Sequence, residues 1–386
     1  MVKYLRSANV GDGVILLDDV KEMNFRPLEQ ATFALRDGDV LVTEGSGSRE
    51  TVGQSAVWHE NVAGVVCFQN TLLRIRPRVG LADGRFLAWW ARHAHAARLM
   101  AAVASGANIL HLSAEELRRL PVPDLGLAQQ RRIADFLDDQ VARIDNIIAA
   151  REKQVSLVAT THRAERAALV RQGSPAPVRV RHLVSKIGSG ETPTGGAEVY
   201  KDHGVKFLRS QNVHNDGLRL GDVAYIDRLV DAEMCSTRVS AGDVLLNITG
   251  ASLGRCAVAP DDLGEANVNQ HVCILRPLAN IDPVVLAAGI RDDETQDQIR
   301  LMQVGGNRDG LNFDQVADLR THYSAVESVA AATRVAIMAA DTRYAGHRSD
   351  LLRSVVQLRE FRQSLITAAV TGEFDVSSAD GSRVPV

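Results

Sequence analysis

Two long stretches of the chain carry apolar residues at every third or fourth position, with charged residues between them. Residues 128–172 and 327–370 both show this spacing, and neither contains a proline. The spacing predicts two amphipathic α-helices of about 45 residues each. The first apolar stripe includes Ile133, Leu137, Ile144, Ile148 and Val155. The second includes Leu351, Leu352, Val355, Leu358 and Leu365.

Stripes of this width are too apolar to remain in water, so we expect the two helices to pack on each other as an antiparallel coiled coil. At 1.5 Å per residue, such a spacer would be roughly 65 Å long. The helices also match each other at an offset of 196 residues, which aligns Arg166 with Arg362 and Asp145 with Asp341. The match indicates that the helices arose by duplication.

A strand-rich segment precedes each predicted helix. Residues 39–43 and 243–248 are apolar runs with β-branched residues, bounded by glycine, and residues 60–77 predict one or two strands packed on the first run. Residues 83–104 have helical spacing. Each long helix therefore follows a small α+β globule.

The globules share an internal repeat. Its landmarks are YLRSANV (4–10) and FLRSQNV (207–213), GDVL (38–41 and 242–245), and Arg-Pro after a strand (76–77 and 276–277). The landmarks keep their order at an offset near 200 residues, which indicates a real duplication.

These patterns predict an α+β chain with two pseudo-repeated domains joined by two long helices that form an antiparallel coiled-coil spacer. The expected boundaries are a first domain at 1–122, a central helical spacer at 123–175, a second domain at 176–323, a second helical spacer at 324–376 and a flexible tail at 377–386.

The composition is that of a globular protein whose cysteines are reduced. The formal net charge of −3 argues against a polycation that coats nucleic acid, although a basic face remains compatible with DNA binding. The four cysteines form no CxxC pair, and we expect small buried thiols in a cytoplasmic protein. A signal-peptide run and an apolar stretch of membrane-spanning length are both absent from the sequence.

Several further segments carry a resemblance to a known family. They are LPVPDLGLAQQRRI (120–133), ARIDNII (142–148), GSGETP (188–193), Asn269-Gln270 before a strand, and AVTGE (369–373). In this order, and with the duplication, the chain resembles the specificity subunit of Type I restriction–modification systems along nearly its whole length.

The resemblance implies a DNA-binding subunit without a catalytic centre. Each domain would be a target-recognition domain that reads one half of an interrupted sequence in double-stranded DNA. The paired helices would set the spacing, at most roughly 19 base pairs, and would dock two methyltransferase subunits, with restriction subunits joining the complex. S-adenosylmethionine, ATP and Mg²⁺ would be cofactors of those partners.

Absent motifs agree with this division of labour. The sequence contains no GxxxxGK[ST] phosphate loop and no Asn/Asp-Pro-Pro-aromatic tetrad of the kind that DNA amino-methyltransferases use. Two alternatives remain open: a coiled-coil scaffold that does not bind DNA, and a fragment of a restriction–methylation enzyme.

Two small-residue loops are the best candidates for DNA contact: the first loop (43–49) and the second loop (247–255). Loops of this kind can approach a DNA backbone or base edge closely. The candidate residues are Ser46, Ser48, Arg49, Arg209, Gln211, Asn212, Thr249, Ser252, Arg255, Asn269, Gln270, Asn307 and Arg308. The alternative for any one of them is a structural role in a turn or a cap.

The two copies differ at their beginnings. About 25 residues (180–206) precede the FLRSQNV landmark, whereas Met1, Val2 and Lys3 alone precede YLRSANV. Either the start codon lies further upstream, or the first domain lacks a strand and a loop that the second domain has.

Overall fold

The computed structural model describes residues 1–46, 51–60, 62–106, 110–174, 176–193, 196, 200–303 and 310–376. The chain divides into two compact units. The first unit comprises the chain from Met1 to Lys153 and from Leu352 onward, and the second unit comprises Gln154–Leu351. Within the described ranges, no helix combines the length and the apolar character needed to cross a bilayer.

The first unit starts with short strands and helices. In chain order these are β1 (Val2–Leu5), β2 (Lys21–Met23), α1 (Pro27–Phe33), β3 (Val40–Thr43), β4 (Gly45–Ser46), β5 (Ser55–Val57), β6 (Val66–Phe68), β7 (Leu72–Ile75), α2 (Gly84–Ala96), α3 (Leu99–Val103), β8 (Leu110–His111) and α4 (Ala114–Arg119). The first long helix, α5, then runs over Leu127–Gly173 and so contributes to both units.

The second unit continues with a similar series. In chain order these are β9 (Pro177–Arg179), β10 (Val184–Ser189), β11 (Val205–Leu208), β12 (Val213–His214), β13 (Gly217–Leu218), β14 (Ala224–Ile226), α6 (Arg228–Glu233), β15 (Val244–Asn247), β16 (Cys256–Val258), β17 (Ala266–Val268), β18 (Val272–Pro277), α7 (Pro283–Ile290), α8 (Asp293–Leu301), α9 (Phe313–Asp318) and β19 (Arg320–His322). The second long helix, α10, spans Glu327–Thr371 and ends before Gly372, whose positive φ of 82° stops the helix.

The sheet connectivity of the two domains confirms the duplication. In the first domain, β1 pairs antiparallel with β2 and parallel with β6, and a second sheet has the order β5-β3-β7. In the second domain, β11 pairs antiparallel with β14 and parallel with β17, and the matching order is β16-β15-β18. The repeat seen in the sequence is therefore a repeat of topology.

The second domain has one more strand in this sheet. β10 pairs antiparallel with β18 and extends the order to β10-β18-β15-β16. Among the described residues of the first domain, no strand pairs with the outer edge of β7. The difference matches the segment that the sequence comparison found only in front of the second copy.

Two of the repeated landmarks form one interaction, which we call the carboxylate clamp. Asp39 and Asp243 are each 1% exposed, at the start of β3 and β15. Arg76 donates Nε and Nη2 to the two oxygens of Asp39 at 2.7 and 2.6 Å, and Arg276 does the same to Asp243 at 2.8 and 2.8 Å. The bidentate geometry satisfies a carboxylate that is withdrawn from water.

The apolar stripes of the long helices are buried as predicted over most of their length. In the first unit they join a single cluster with the domain's own core, which includes Phe86 and Trp90. The buried stripe residues of this cluster are Ile133, Leu137, Ile144, Ile148, Val355 and Leu365, with Leu358 partly buried beside them. The helices and the domain therefore share one core in this unit.

Reciprocal ion pairs join the two helices. In the first unit, Arg362 Nη1 donates to Asp145 Oδ1 at 2.6 Å. In the second unit, Arg166 Nη1 lies 3.2 Å from Asp341 Oδ1. These are the residues that align at the offset of 196, so each helix supplies the arginine once and the aspartate once. Residues early in α5 pair with residues late in α10, so the two helices are antiparallel.

The predicted stripe is wrong at Leu352, whose side chain is 40% exposed. Leu351 and Leu352 are adjacent, and adjacent residues lie about 100° apart on a helix, so they cannot both face the seam. Leu351 and Val155 are half-buried.

The helical character predicted at 83–104 is confirmed, although the segment is not continuous. It is divided into α2 and α3 because Arg98 adopts φ 59° and ψ 18°. A residue in this left-handed region cannot continue an α-helix.

We expect Arg76→Met and Arg276→Met each to lower the free energy of unfolding by about 3 kcal/mol, because either change leaves a buried carboxylate without its counter-charge. Chemical denaturation of the purified chain measures the loss. The matched control is Arg78→Met, since Arg78 is an exposed arginine two residues from Arg76. Equal losses for Arg76→Met and Arg78→Met would contradict the clamp.

Candidate nucleic-acid interface

Separate segments of the second domain meet at the end of the sheet where β15 finishes. Asn247 Nδ2 donates to the carbonyl of Ser210 at 2.8 Å, which joins the second loop to the FLRSQNV turn. Thr249 Oγ1 lies 2.5 Å from His271 Nδ1, which joins the loop to the turn between β17 and β18. Candidates from three parts of the sequence are therefore brought to one surface.

The polar side chains on this surface can all donate hydrogen bonds. Gln270 is exposed, whereas Thr249, Ser252 and Arg255 are half-buried. Arg255 Nη1 lies 3.5 Å from His214 Nδ1 in the neighbouring β12–β13 hairpin. A guanidinium, amide and hydroxyls gathered in one place can bind phosphate oxygens or the acceptor edges of bases.

Asn212 does not belong to this surface, which corrects the prediction that it contacts DNA. Its side chain is fully buried. Its Oδ1 accepts from the backbone N–H of Arg209 at 2.9 Å, and its Nδ2 donates to the carbonyl of Arg219 at 2.9 Å. Asn9 makes the matching bonds to Arg6 and Leu16 in the first domain, so the repeated asparagine stabilises a turn.

Two further candidates also have structural bonds. Asn269 is 8% exposed, and its Oδ1 accepts from the backbone N–H of His271 at 3.1 Å, which fixes the turn. Arg209 donates Nη2 to the carbonyl of Asp222 at 2.9 Å and lies 5.7 Å from the ring centre of Tyr200. The structural alternative applies to Asn269, while Arg209 is half-buried and its Nε is buried without a hydrogen-bond partner among the described residues.

Gln211 remains a candidate. Its side chain is exposed and donates Nε2 to Asp222 Oδ2 at 2.8 Å. A bond between exposed groups is easily exchanged for a bond to a ligand, because each partner can return to water.

Of the three candidates in the first domain, one lies within the described residues. The backbone of Ser46 pairs with Leu110 in the β4–β8 sheet. Ser48 and Arg49 lie outside the described residues, as do Asn307 and Arg308 of the second domain. Contacts between these residues and DNA stay predictions.

Both loops are closed by the same backbone arrangement, which we call the neck. Thr43 N–H donates to Gln54 at 2.9 Å and its carbonyl accepts from Gly53 at 3.1 Å. Asn247 N–H donates to Arg255 at 2.8 Å and its carbonyl accepts from Gly254 at 2.9 Å. Gly53 and Gly254 have φ values of 82° and 81°, a conformation that favours glycine over residues with a Cβ.

The cysteines near the second loop are expected to be unreactive. Burial raises the pKa of Cys256 to about 11 and that of Cys273 to about 12, so both thiols stay protonated near neutral pH. Cys67 is buried as well, and burial raises its pKa. Cys235 is exposed, which corrects the expectation that all four thiols are buried.

One group of potential metal ligands occurs among the described residues, formed by Asp292, Glu294 and His322. Arg171, near the end of α5, already donates to both oxygens of the buried Asp292, with a shortest distance of 2.7 Å, and lies 3.2 Å from Glu294. His322 Nδ1 lies 2.7 Å from the carbonyl of Ser174. The group therefore holds the end of the long helix against the second domain.

Sequence reasoning missed residues that the fold brings to the surface. His214, Asn215 and His271 were not predicted, although Asn215 Oδ1 accepts from the backbone N–H of Cys256 at 3.0 Å beside the second loop. His271 directly follows the Asn269-Gln270 motif, so its position beside that motif could have identified it as a candidate. The positions of His214 and Asn215 depend on how the β12–β13 hairpin folds onto β16.

Known proteins resemble this chain in sequence and in fold. No family model matches the chain. It is 24% identical over 232 residues to the "Type I restriction enzyme StySPI specificity subunit" of Salmonella potsdam, which is 59% of this chain and 48% of the relative. The match thus spans about half the length of the curated relative.

Two solved structures cover nearly the whole chain. The crystal structure of the HsdS subunit from Thermoanaerobacter tengcongensis has a TM-score of 0.53 at 13% identity, over 97% of this chain and 91% of that one. A chain from a study of complex assembly and conformational transition of the type I R-M system has a TM-score of 0.73 at 14% identity, over 97% and 92%. The chain has the fold of a Type I specificity subunit.

The burial of the cysteines can be tested chemically. We expect a maleimide to label the folded chain at Cys235 and to leave Cys67, Cys256 and Cys273 unmodified, because reaction requires an accessible thiolate. Mass spectrometry of proteolytic fragments identifies the site. Cys235→Ser should abolish rapid labelling, and rapid labelling of Cys256 before unfolding would contradict the described packing.

Proposed function

We propose that the chain is the DNA-recognition subunit of a Type I restriction–modification complex and has no catalytic centre of its own. The observation that carries the proposal is the duplication of the whole architecture, in which each α+β domain repeats its sheet connectivity and is followed by one of two antiparallel helices. A duplicated reader suits a target of two separate parts. The resemblance in sequence to a protein named as a specificity subunit supports the proposal.

In this proposal the two helices serve as spacer and as docking surface. The reciprocal pairs Arg362–Asp145 and Arg166–Asp341 give each unit a similar part of the helix pair. Two similar surfaces on one chain can bind two copies of one partner. The partners would be two methyltransferase subunits, with restriction subunits added, and these subunits would use S-adenosylmethionine, ATP and Mg²⁺.

The second domain would read DNA with the surface around the second loop. Arg255 supplies a fixed positive charge, and Gln270 can both donate and accept hydrogen bonds. Arginine pairs with guanine or phosphate, and glutamine pairs with adenine. Since phosphate contacts position a protein and base contacts specify the sequence, the two residues can have different effects on binding.

We expect cells that carry this chain and its methyltransferase subunit to methylate an interrupted motif, with two short specified parts about one helical turn apart. Arg255→Ala should weaken binding of the assembled complex to that motif roughly tenfold to a hundredfold. It should leave the first part of the motif unchanged. Methylation mapping and gel shifts at several salt concentrations provide the measurements.

The matched control is Arg228→Ala. Arg228 is an exposed arginine of the same domain that pairs with Glu265 at 3.0 Å, and we expect no change in the motif. A continuous palindrome would refute the two-reader model. Binding without salt sensitivity or sequence preference would favour the scaffold, and methyl transfer by the chain alone would favour an enzyme.

We expect Leu352→Pro to abolish assembly with the methyltransferase subunits, because proline inside a helix costs about 3 kcal/mol or more. Leu352→Ala is the matched control: Leu352 is 40% exposed and alanine is a good helix former, so the helix and assembly should persist. Size-exclusion chromatography of the mixed subunits separates the outcomes. Normal assembly of the proline variant would refute the role of α10 in docking.

A further inference from the structure

Asn247 joins three parts of the second domain through one buried amide. It is the last residue of β15 and is fully buried. Its Nδ2 donates to the carbonyl of Ser210 at 2.8 Å and to Ser252 Oγ at 3.1 Å. The strand, the FLRSQNV turn and the second loop are therefore connected by a single side chain.

The orientation of this amide is fixed by Ser210. A backbone carbonyl only accepts hydrogen bonds, so it requires the NH₂ group of Asn247 and excludes the opposite orientation, in which Oδ1 would face it. Asn247 Oδ1 is buried and makes no hydrogen bond to the described residues, so the amide holds the loop through its donors alone.

This orientation decides what Ser252 can offer. Because Nδ2 donates to Ser252 Oγ, the hydroxyl oxygen acts as the acceptor in that bond, and its single hydrogen remains available for another partner. Ser252 is half-buried, at the surface that also holds Arg255. The loop thus presents a hydroxyl donor near a guanidinium, which only donates.

The matching residue of the first domain works differently. Thr43 occupies the same position after GDVL, and its Oγ1 donates to the backbone carbonyl of Thr51 at 2.8 Å. The side chain of Thr43 thus binds backbone, whereas the side chain of Asn247 orients another side chain. The two necks are alike, but the amide that directs a hydroxyl belongs to the second loop.

We propose that Asn247 is a positioning residue that fixes Ser252 as a hydrogen-bond donor towards DNA. The second loop then binds an acceptor on DNA, which is either a phosphate oxygen or the N7/O6 edge of a purine. The inference rests on the proposed function, and it adds the chemistry of one contact in the second half-site.

The test compares Asn247→Asp, Ser252→Ala and the double variant in the complex with the methyltransferase subunit. Aspartate only accepts, so it would take the hydroxyl hydrogen of Ser252 and lose the bond to Ser210. We expect Asn247→Asp and Ser252→Ala each to weaken binding to the motif identified by methylation mapping, roughly tenfold. The double variant should lose less than the product of the two losses, because Asn247 acts partly through Ser252.

Ser185→Ala is the matched control. Ser185 Oγ donates to the carbonyl of Arg276 at 3.2 Å, at the opposite end of the same sheet, so losing this hydroxyl should leave DNA binding unchanged. Methylation mapping distinguishes the two acceptors. A purine contact relaxes one position in the second part of the motif, whereas a phosphate contact weakens binding to all sequences equally and relaxes no position.

The unsubstituted complex is measured first. If it shows no sequence-specific binding, the proposed function fails and the inference fails with it. If it binds but Ser252→Ala binds equally well, the inference alone is overturned, and this result does not depend on whether Asn247→Asp folds. Full multiplication of the two single losses would also overturn it, because Asn247 would then act without Ser252.

Discussion

The exposure of apolar helix surface to water is the constraint on which the rest of the structure depends. α5 and α10 carry stripes that no single helix can bury, and each unit solves this by merging part of the helix pair with a domain core. In the first unit, Ile133 and Val355 belong to the same cluster as Phe86. In the second unit, Val170 and Ile337 belong to the cluster that contains Leu246 of β15. Domain and helices therefore share one core within each unit.

An apolar seam resists separation of two helices, but it tolerates sliding, since one aliphatic contact resembles the next. The pairs Arg362–Asp145 and Arg166–Asp341 select one register of the two helices, because a shift by one turn would separate each arginine from its aspartate. Partly exposed ion pairs add little free energy on their own. Their contribution here is to fix the register, and because of the duplication the same kind of ion pair occurs in both units.

The elements with strong periodicity could be predicted from the sequence. α5 and α10 begin and end within a few residues of the predicted bounds, and β3 and β15 lie within the strands predicted at 39–43 and 243–248. Leu352 and the break at Arg98 could not be predicted in the same way. Small errors in the assumed number of residues per turn accumulate along a long helix and shift the predicted buried face. A single residue with a left-handed φ leaves no periodic signal in the sequence.

The candidate site was harder to predict, for a physical reason. Recurrence between two copies reports what they share, and the copies share their scaffold. Asn212 recurs as Asn9 because both amides close a turn, so the candidate Asn212 proved to be a support of the fold. His214 and His271 lie on the candidate surface. They reach Arg255 and Thr249 through contacts between distant segments, which single-sequence patterns do not report.

The necks of the two loops have a consequence for how such proteins change. Each neck is made by main-chain groups, at Thr43 with Gly53 and Gln54, and at Asn247 with Gly254 and Arg255. Main-chain bonds tolerate many side chains, and the glycine supplies the one conformation that most residues avoid. The exposed residues enclosed by a neck can therefore be exchanged while its main-chain bonds are kept, whereas the buried ones, Val52 and Ile248, belong to the domain cores. The architecture separates the part that must stay constant for folding from the part that is free to diversify.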